Sequence, residues 1–185
     1  MTFAKRAFDV AAATFALALF SPVLLVAASA IALHDGGSVL FVQERVGRDG
    51  ASFRIFKLRT MRDEVVTGPG RWLRATGIDE VPQFLNVLRG DMSVVGPRPL
   101  TRADLTRLGF DRDPLRATVR PGITGPAQVF APTTAAGVLD TDRRYVREAS
   151  LRVDAELVAI SFAMNVFGKR RVRARLAGHR LAPAV

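Results

Sequence analysis

Residues 10–33 contain no charged side chain. As a helix they would extend about 36 Å, more than the roughly 30 Å hydrocarbon core of a bilayer. No polar stripe marks a solvent face, which separates this segment from an amphipathic core helix. Ser21-Pro22 sits in its middle. Proline deletes a backbone hydrogen bond and crowds the preceding turn, so a bend is expected there, with the Ser21 hydroxyl serving a freed carbonyl. Lys5 and Arg6 precede the segment, and Arg45, Arg48, Arg54, Lys57 and Arg59 follow it. Cations on both flanks favour a bent, re-entrant membrane helix hairpin over a simple span or a cleaved signal ending near Ala28-Ser29-Ala30.

The pattern then changes. His34-Asp35-Gly36-Gly37-Ser38 is strong turn chemistry. Residues 39–42 and 52–59 read as strands joined through an Asp49-Gly50 turn. The two-residue period puts Phe53, Ile55, Lys57 and Arg59 on one face, so Lys57 and Arg59 project together, toward an anion or into solvent. Residues 64–70 read as a loop, and 71–74 as one helical turn with Trp72 and Leu73 packed inward. Val81, Phe84, Leu85 and Leu88 recur at helical spacing, with Asp79 as N-cap, Pro82 in the first turn and Gly90 as the stop.

Further on, Thr101 caps a short helix over 102–108, residues 121–125 form a tight loop, and 133–137 form a mobile, lid-like loop. A helix follows over 140–149. Residues 151–167 are strongly apolar, yet Asp154 and Glu156 near their start argue for an interfacial helix, with a core helix equally open. Lys169, Arg170, Arg171, Arg173, Arg175 and Arg180 then form a basic tail suited to anionic headgroups. The class is therefore α+β and mostly helical. A re-entrant membrane anchor occupies 1–34. A compact helical domain with a small β-hairpin and interfacial amphipathic helices fills 35–168, and the tail runs 169–185.

Composition narrows the partner. Of 185 residues, 49% are hydrophobic and 24% charged, with a net charge of +10, so the partner is anionic. No cysteine is present, which excludes disulfides, thiolate chemistry and cysteine zinc sites. One Trp and one Tyr leave base stacking to the Phe residues, and no nucleic-acid motif appears, so nucleic acid is not expected.

The chemistry gathers at GIDEVPQFLNVLRGDMSVVGPRPL, residues 77–100. Asp79 and Glu80 are adjacent carboxylates at a helix start, a position that suits both ordinary capping and a phosphate site. A carboxylate facing phosphate needs cations; Mg²⁺ (or Mn²⁺) held by Asp79 and Glu80, with Arg98 nearby, would serve. Pro97 and Pro99 bracket Arg98 and stiffen its backbone, and guanidinium recognises phosphate bidentately. Arg116 and Arg120 suit phosphate or solvent.

This stretch resembles the signature of the bacterial sugar transferases, the monotopic polyprenyl phosphoglycosyl transferases. KRAFDV, the apolar segment with its central Ser-Pro, FVQERVGRDGASFRIFKLRTM and PGITGPAQV resemble further family motifs in order. The length resembles the minimal catalytic form. The resemblance implies transfer of a sugar phosphate from a nucleotide sugar, usually a UDP-sugar, to polyprenyl (undecaprenyl) phosphate, with release of UMP. It implies Asp79 as covalent nucleophile, Glu80 as metal or proton partner, and Arg98 and Arg74 as residues that hold phosphate or structure the site, with Lys57 and Arg59 from the strand as further candidate phosphate contacts. Gly122, Thr124 and Gln128 would belong to a substrate loop. The implied place is the cytoplasmic face of the bacterial inner membrane, on an anionic lipid surface; a homodimer is left open. A metal-dependent phosphohydrolase and an inactive membrane scaffold are the competing readings. The family's Asn-Gly-Arg after Ala-Gln-Val is here Phe130-Ala131-Pro132, which implies altered nucleotide or sugar contacts.

Overall fold

The computed structural model describes residues 2–176 and 178–182. Helix α1 (Phe3–Asp35) is uninterrupted, capped by the Thr2 side chain and with Pro22 in its interior. Pro22 cannot donate to the Ala18 carbonyl four residues back. Ser21 Oγ donates to that oxygen at 2.9 Å instead. The polar repair by Ser21 matches the sequence expectation, and the chain stays helical through Pro22.

Strands β1 (Leu40–Val46) and β2 (Ser52–Leu58) form an antiparallel hairpin with Gln43 opposite Ile55. β3 (Met61–Arg62) and β4 (Val65–Val66) make a second, minimal hairpin where a loop was expected. Helix α2 (Gly68–Thr76) is capped by Thr67 and, at nine residues, is more than a turn longer than the single turn the sequence pattern suggested. Its Leu73 is buried, but Trp72, about 100° away around the helix, is 53% exposed, which corrects the inward assignment. A 3-10 turn over Ile78–Glu80 leads to α3 (Gln83–Arg89), stopped by Gly90 at φ 91°.

β5 (Ser93–Val95) precedes α4 (Arg102–Leu108), which Thr101 caps as expected, and α5 (Pro114–Ala117). β6 (Gly122–Thr124) pairs in parallel with β5, so the expected loop at 121–125 is largely a strand. Three residues with no alternation leave no local signal; the pairing is made across the chain. α6 (Pro126–Phe130) follows, then α7 (Ala135–Glu148), whose cap Thr134 takes up the expected lid at 133–137 as ordered helix start. α8 (Leu151–Phe167) has the boundaries read from the sequence, and α9 (Lys169–Ala174) packs on it.

Two clusters make the core. The larger joins Ala13 of α1, Val87 of α3, Val94 and Val95 of β5, and Leu157 of α8, with Leu181 also fully buried. The smaller joins Ala27 and Ile31 of α1 to Leu58, Leu73 and Ile78. Both ends of the apolar helix are thus fixed to the same body. At the start, Lys5 Nζ meets Asp154 at 2.5 Å, Arg6 donates to the carbonyls of Val87 and Leu88, and Asp9 accepts from Ser93 Oγ and Val94 N. At the end, Arg62 donates to the Asp35 carbonyl at 2.8 Å. Between these anchors Phe15 and Leu19 are exposed.

Candidate active site

Asp79 lies inside the 3-10 turn rather than at a helix N-cap, and α3 begins at Gln83 with Pro82 in the cap position and no side-chain cap. Gly77, at φ 74°, ends α2 and starts the turn, which runs on i to i+3 bonds from Glu80 N and Val81 N. A three-residue turn supplies no useful helix dipole, so the electrostatics come from side chains. Of the expected apolar stripe, Val81 is buried while Leu85 is 41% exposed; Val87 takes the core position. Asn86 fixes the turn to the hairpin. Its Oδ1 accepts from Phe56 N and its Nδ2 donates to the Arg54 carbonyl, so one amide serves the free edge of β2.

A cavity of about 830 Å³ opens over this turn. Asp79, Glu80, Lys57, Arg59, Arg74, Arg98, Thr124 and Gln128 all line it; Gly122 does not. Lys57 Nζ sits 2.6 Å from Glu80 Oε1. Arg74 Nε donates to Thr60 Oγ1 at 2.8 Å, and Arg59 donates to the Gly36 carbonyl. Burial raises the Asp79 carboxyl above its ordinary range, the Glu80 charge raises it further, and Lys57 and Arg74 pull it partly back.

Arg98 is exposed on a loop whose flanking Pro97 and Pro99 are buried. Its guanidinium has no hydrogen-bond or ion-pair partner among the described residues. Its carbonyl accepts from Arg116, whose Nε meets the fully buried Asp142 at 2.9 Å. Arg116 is thereby a structural clasp and faces neither phosphate nor bulk water. The β5–β6 pair behind the loop is close-set: a Cβ on Gly125 would lie 1.9 Å from the Gly96 carbonyl oxygen.

Sequence reasoning missed several wall residues. Phe41, Gln43 and Arg45 line the cavity and alternate along β1, a period that was present in the sequence. Ser161 and Asn165 also line it, four residues apart on α8. They are the polar breaks in an otherwise apolar run, and Ser161 Oγ is 2.6 Å from Thr124 Oγ1. Lys169 and Arg173 reach the cavity as well. Arg173 donates to the carbonyls of Gln128 and Val129, and Arg180 pairs with Glu148 and Glu156. Those two arginines of the basic segment serve the protein itself. Phe20, at the middle of α1, completes the wall. Among the described residues no group of three or more His, Cys, Asp or Glu side chains forms a metal cluster.

The bacterial sugar transferase family model matches residues 1–168. A UDP-glucose:undecaprenyl-phosphate glucose-1-phosphate transferase of Caulobacter vibrioides is 50% identical over 68% of this chain and 53% of its own length. A UDP-N-acetylgalactosamine-undecaprenyl-phosphate N-acetylgalactosaminephosphotransferase of Aeromonas hydrophila is 40% identical over 91% of this chain and 45% of its own. The exopolysaccharide production protein ExoY of Rhizobium meliloti is 37% identical over 84% of this chain and 82% of its own. The chain spans about half the length of the first two relatives. With the family match covering nearly the whole sequence and the motif residues gathered on one cavity, the chain belongs to the bacterial sugar transferase family.

Proposed function

We propose that this chain moves a sugar phosphate from a UDP-sugar to polyprenyl phosphate, releasing UMP, at the cytoplasmic face of a bacterial inner membrane. One observation carries the reading: a partly buried acid pair and seven cations line a cavity that the apolar helix borders through Phe20. A carboxylate oxygen of Asp79 attacks the phosphorus that bears the sugar. A bond forms from that phosphorus to Asp79, the bond to the UMP oxygen breaks, and UMP leaves with the electron pair. An oxygen of polyprenyl phosphate then attacks the same phosphorus and frees the carboxylate. Splitting the transfer lets a water-soluble donor and a lipid acceptor use the site in turn.

Partial desolvation, read from the raised Asp79 carboxyl, leaves a poorly hydrated and hence stronger nucleophile. Lys57 holds Glu80 beside it, and Arg98, fixed by its prolines and unclaimed by protein, receives phosphate oxygens with Arg59 and Arg74. Asp79 and Glu80 would hold Mg²⁺ or Mn²⁺: their donor atoms are all oxygen, and the two carboxylates adjoin on one cavity. When bound, the ion neutralises phosphate charge.

The same reading makes 1–34 a re-entrant anchor. α1 is long and apolar enough to cross a membrane, yet both its ends are fixed to one body. Exposed Leu151, Ala155, Ala159, Phe162 and Val166 form a stripe along α8, apt for the same bilayer surface.

Purified chain with Mg²⁺, polyprenyl phosphate and a panel of UDP-sugars should release UMP only when lipid is present. Lipid-independent phosphate release would instead favour a phosphohydrolase, and no turnover with any donor would favour a scaffold. For topology, cysteines placed at Thr2 and Ser38 in this cysteine-free chain should label from the same side of the membrane; labelling from opposite sides overturns the re-entrant anchor.

A further inference from the structure

Of the seven cations that line the main cavity, five are engaged by the protein. Arg45 donates to Gln43, and Lys57 pairs with Glu80. Arg59 donates to the Gly36 carbonyl, Arg74 to Thr60, and Arg173 to the carbonyls of Gln128 and Val129. The charged groups of the other two, Arg98 and Lys169, have no hydrogen-bond or ion-pair partner among the described residues. Lys169 lies just past the stretch that the family model matches, which ends at residue 168. The segment that carries it is firmly held. Arg173 closes the last carbonyls of α6 at 2.8 and 2.9 Å. His179 meets Glu156 of α8 at 2.9 Å and packs on the Phe130 ring at 5.0 Å, and Leu181 is fully buried. α9 is therefore a built part of the wall. Ser161, Asn165, Lys169 and Arg173 recur at four-residue intervals across the break at Gly168, and all four line the cavity.

A UDP-sugar carries two phosphates, and only one is attacked. The cations that act most strongly on Asp79 are Lys57 and Arg74, so those two belong with the phosphorus under attack. The other phosphate departs in UMP, and the electron pair that leaves with it adds negative charge to its oxygen. An ammonium that no protein carboxylate claims, carried on a fixed wall of the same cavity, suits that oxygen. We propose that Lys169 binds the donor phosphate that leaves in UMP. The proposal rests on the transfer reading above and deepens it by assigning the nucleotide side of the donor to α9. It also takes Lys169 out of the row of basic residues expected to meet lipid headgroups. The phosphate of the lipid acceptor has the same chemistry, and the test separates the two.

The test measures equilibrium binding of UMP and of uridine to the detergent-purified full chain by calorimetry, so that the difference between the two probes reads the phosphate alone. Lys169→Met keeps the side chain's reach without its charge. It should weaken UMP about tenfold, the scale of one charged hydrogen bond on an accessible wall, and leave uridine unchanged. The ratio of the two affinities is insensitive to a smaller folded fraction. Lys169→Arg, which retains the charge, should restore most of the ratio. Equal weakening of UMP and uridine, or an unmoved UMP affinity, overturns this proposal and leaves the transfer reading standing. A raised KM for polyprenyl phosphate with UMP binding unmoved assigns the ammonium to the lipid and overturns it as well. No lipid-dependent UMP from any donor, in a wild-type chain that still binds UMP, overturns the transfer reading and this proposal with it.

Discussion

Two carboxylate–lysine pairs lie at opposite ends of this molecule's polar economy. Around Asp154 everything is satisfied. Lys5 meets one oxygen at 2.5 Å, Tyr145 donates to the other at 2.8 Å, and the same phenol reaches the Val95 carbonyl at 3.0 Å. Burial and the neighbouring Asp154 keep that phenol protonated. Around Asp79 the groups are left wanting: the carboxyl is raised by burial and by Glu80, the lysine belongs to Glu80, and the Arg98 guanidinium has no partner among the described residues. Both regions use the same residue types. Completeness separates them, with a closed network serving the fold and an open one available to phosphate.

Substitutions can break the contrast. Asp79→Asn should cut turnover at least about a thousandfold, on the scale set by losing a covalent nucleophile, measured as UMP release. The fold should not suffer. Because the folded-state pKa lies above the unfolded one, ionising Asp79 costs stability as pH rises through the carboxylate range, and the amide removes that cost. The melting temperature should therefore stay level or rise. Asp154→Ala should do the reverse. Removing one member of a buried pair costs about 3–5 kcal/mol, or roughly 10 °C in Tm for a chain of this size, with turnover per folded molecule retained. An Asp154→Ala variant that melts normally would erase the distinction between the two regions.

Smaller effects sharpen it. Arg98→Ala should lower kcat/KM roughly tenfold to a hundredfold, the worth of a charged hydrogen bond, without moving Tm. The smallest effect is a pH shift. The acid limb of the kcat/KM profile should lie above the ordinary carboxylate range. Lys57→Met, which removes a charge that lowers the Asp79 pKa, should push that limb still higher; movement toward lower pH would contradict the assignment.

The sequence made the contrast half visible. Helix α8, the Gly90 stop and the Ser21 repair were legible because each is written in neighbouring residues. So were the acid pair and the proline-bound Arg98. The β5–β6 pairing was not, because Ser93 and Gly122 meet across distant stretches of chain and neither strand is long enough to alternate. Asp79 was misplaced at an N-cap because Pro82, unable to donate, tightens the approach into a 3-10 turn. Asp154 was read only as an obstacle to a full membrane span, with interfacial and core helix both open; its lysine from the other end of the chain makes it a core residue. Ser161 and Asn165 carried a signal at four-residue spacing, but its meaning depended on knowing which wall α8 faces.

The close approach of Gly96, Gly122 and Gly125 has a consequence for how such a chain can change. A Cβ at any of the three would fall within 2.3 Å of backbone atoms across the β5–β6 junction. Mutation is therefore barred where the arginine loop is braced. Seven or more residues further along, Pro132, Thr133 and Val138 border open volume and can vary in size. A lineage can thus vary side-chain size by single substitutions on one side of this braced junction while the backbone on the other side stays fixed.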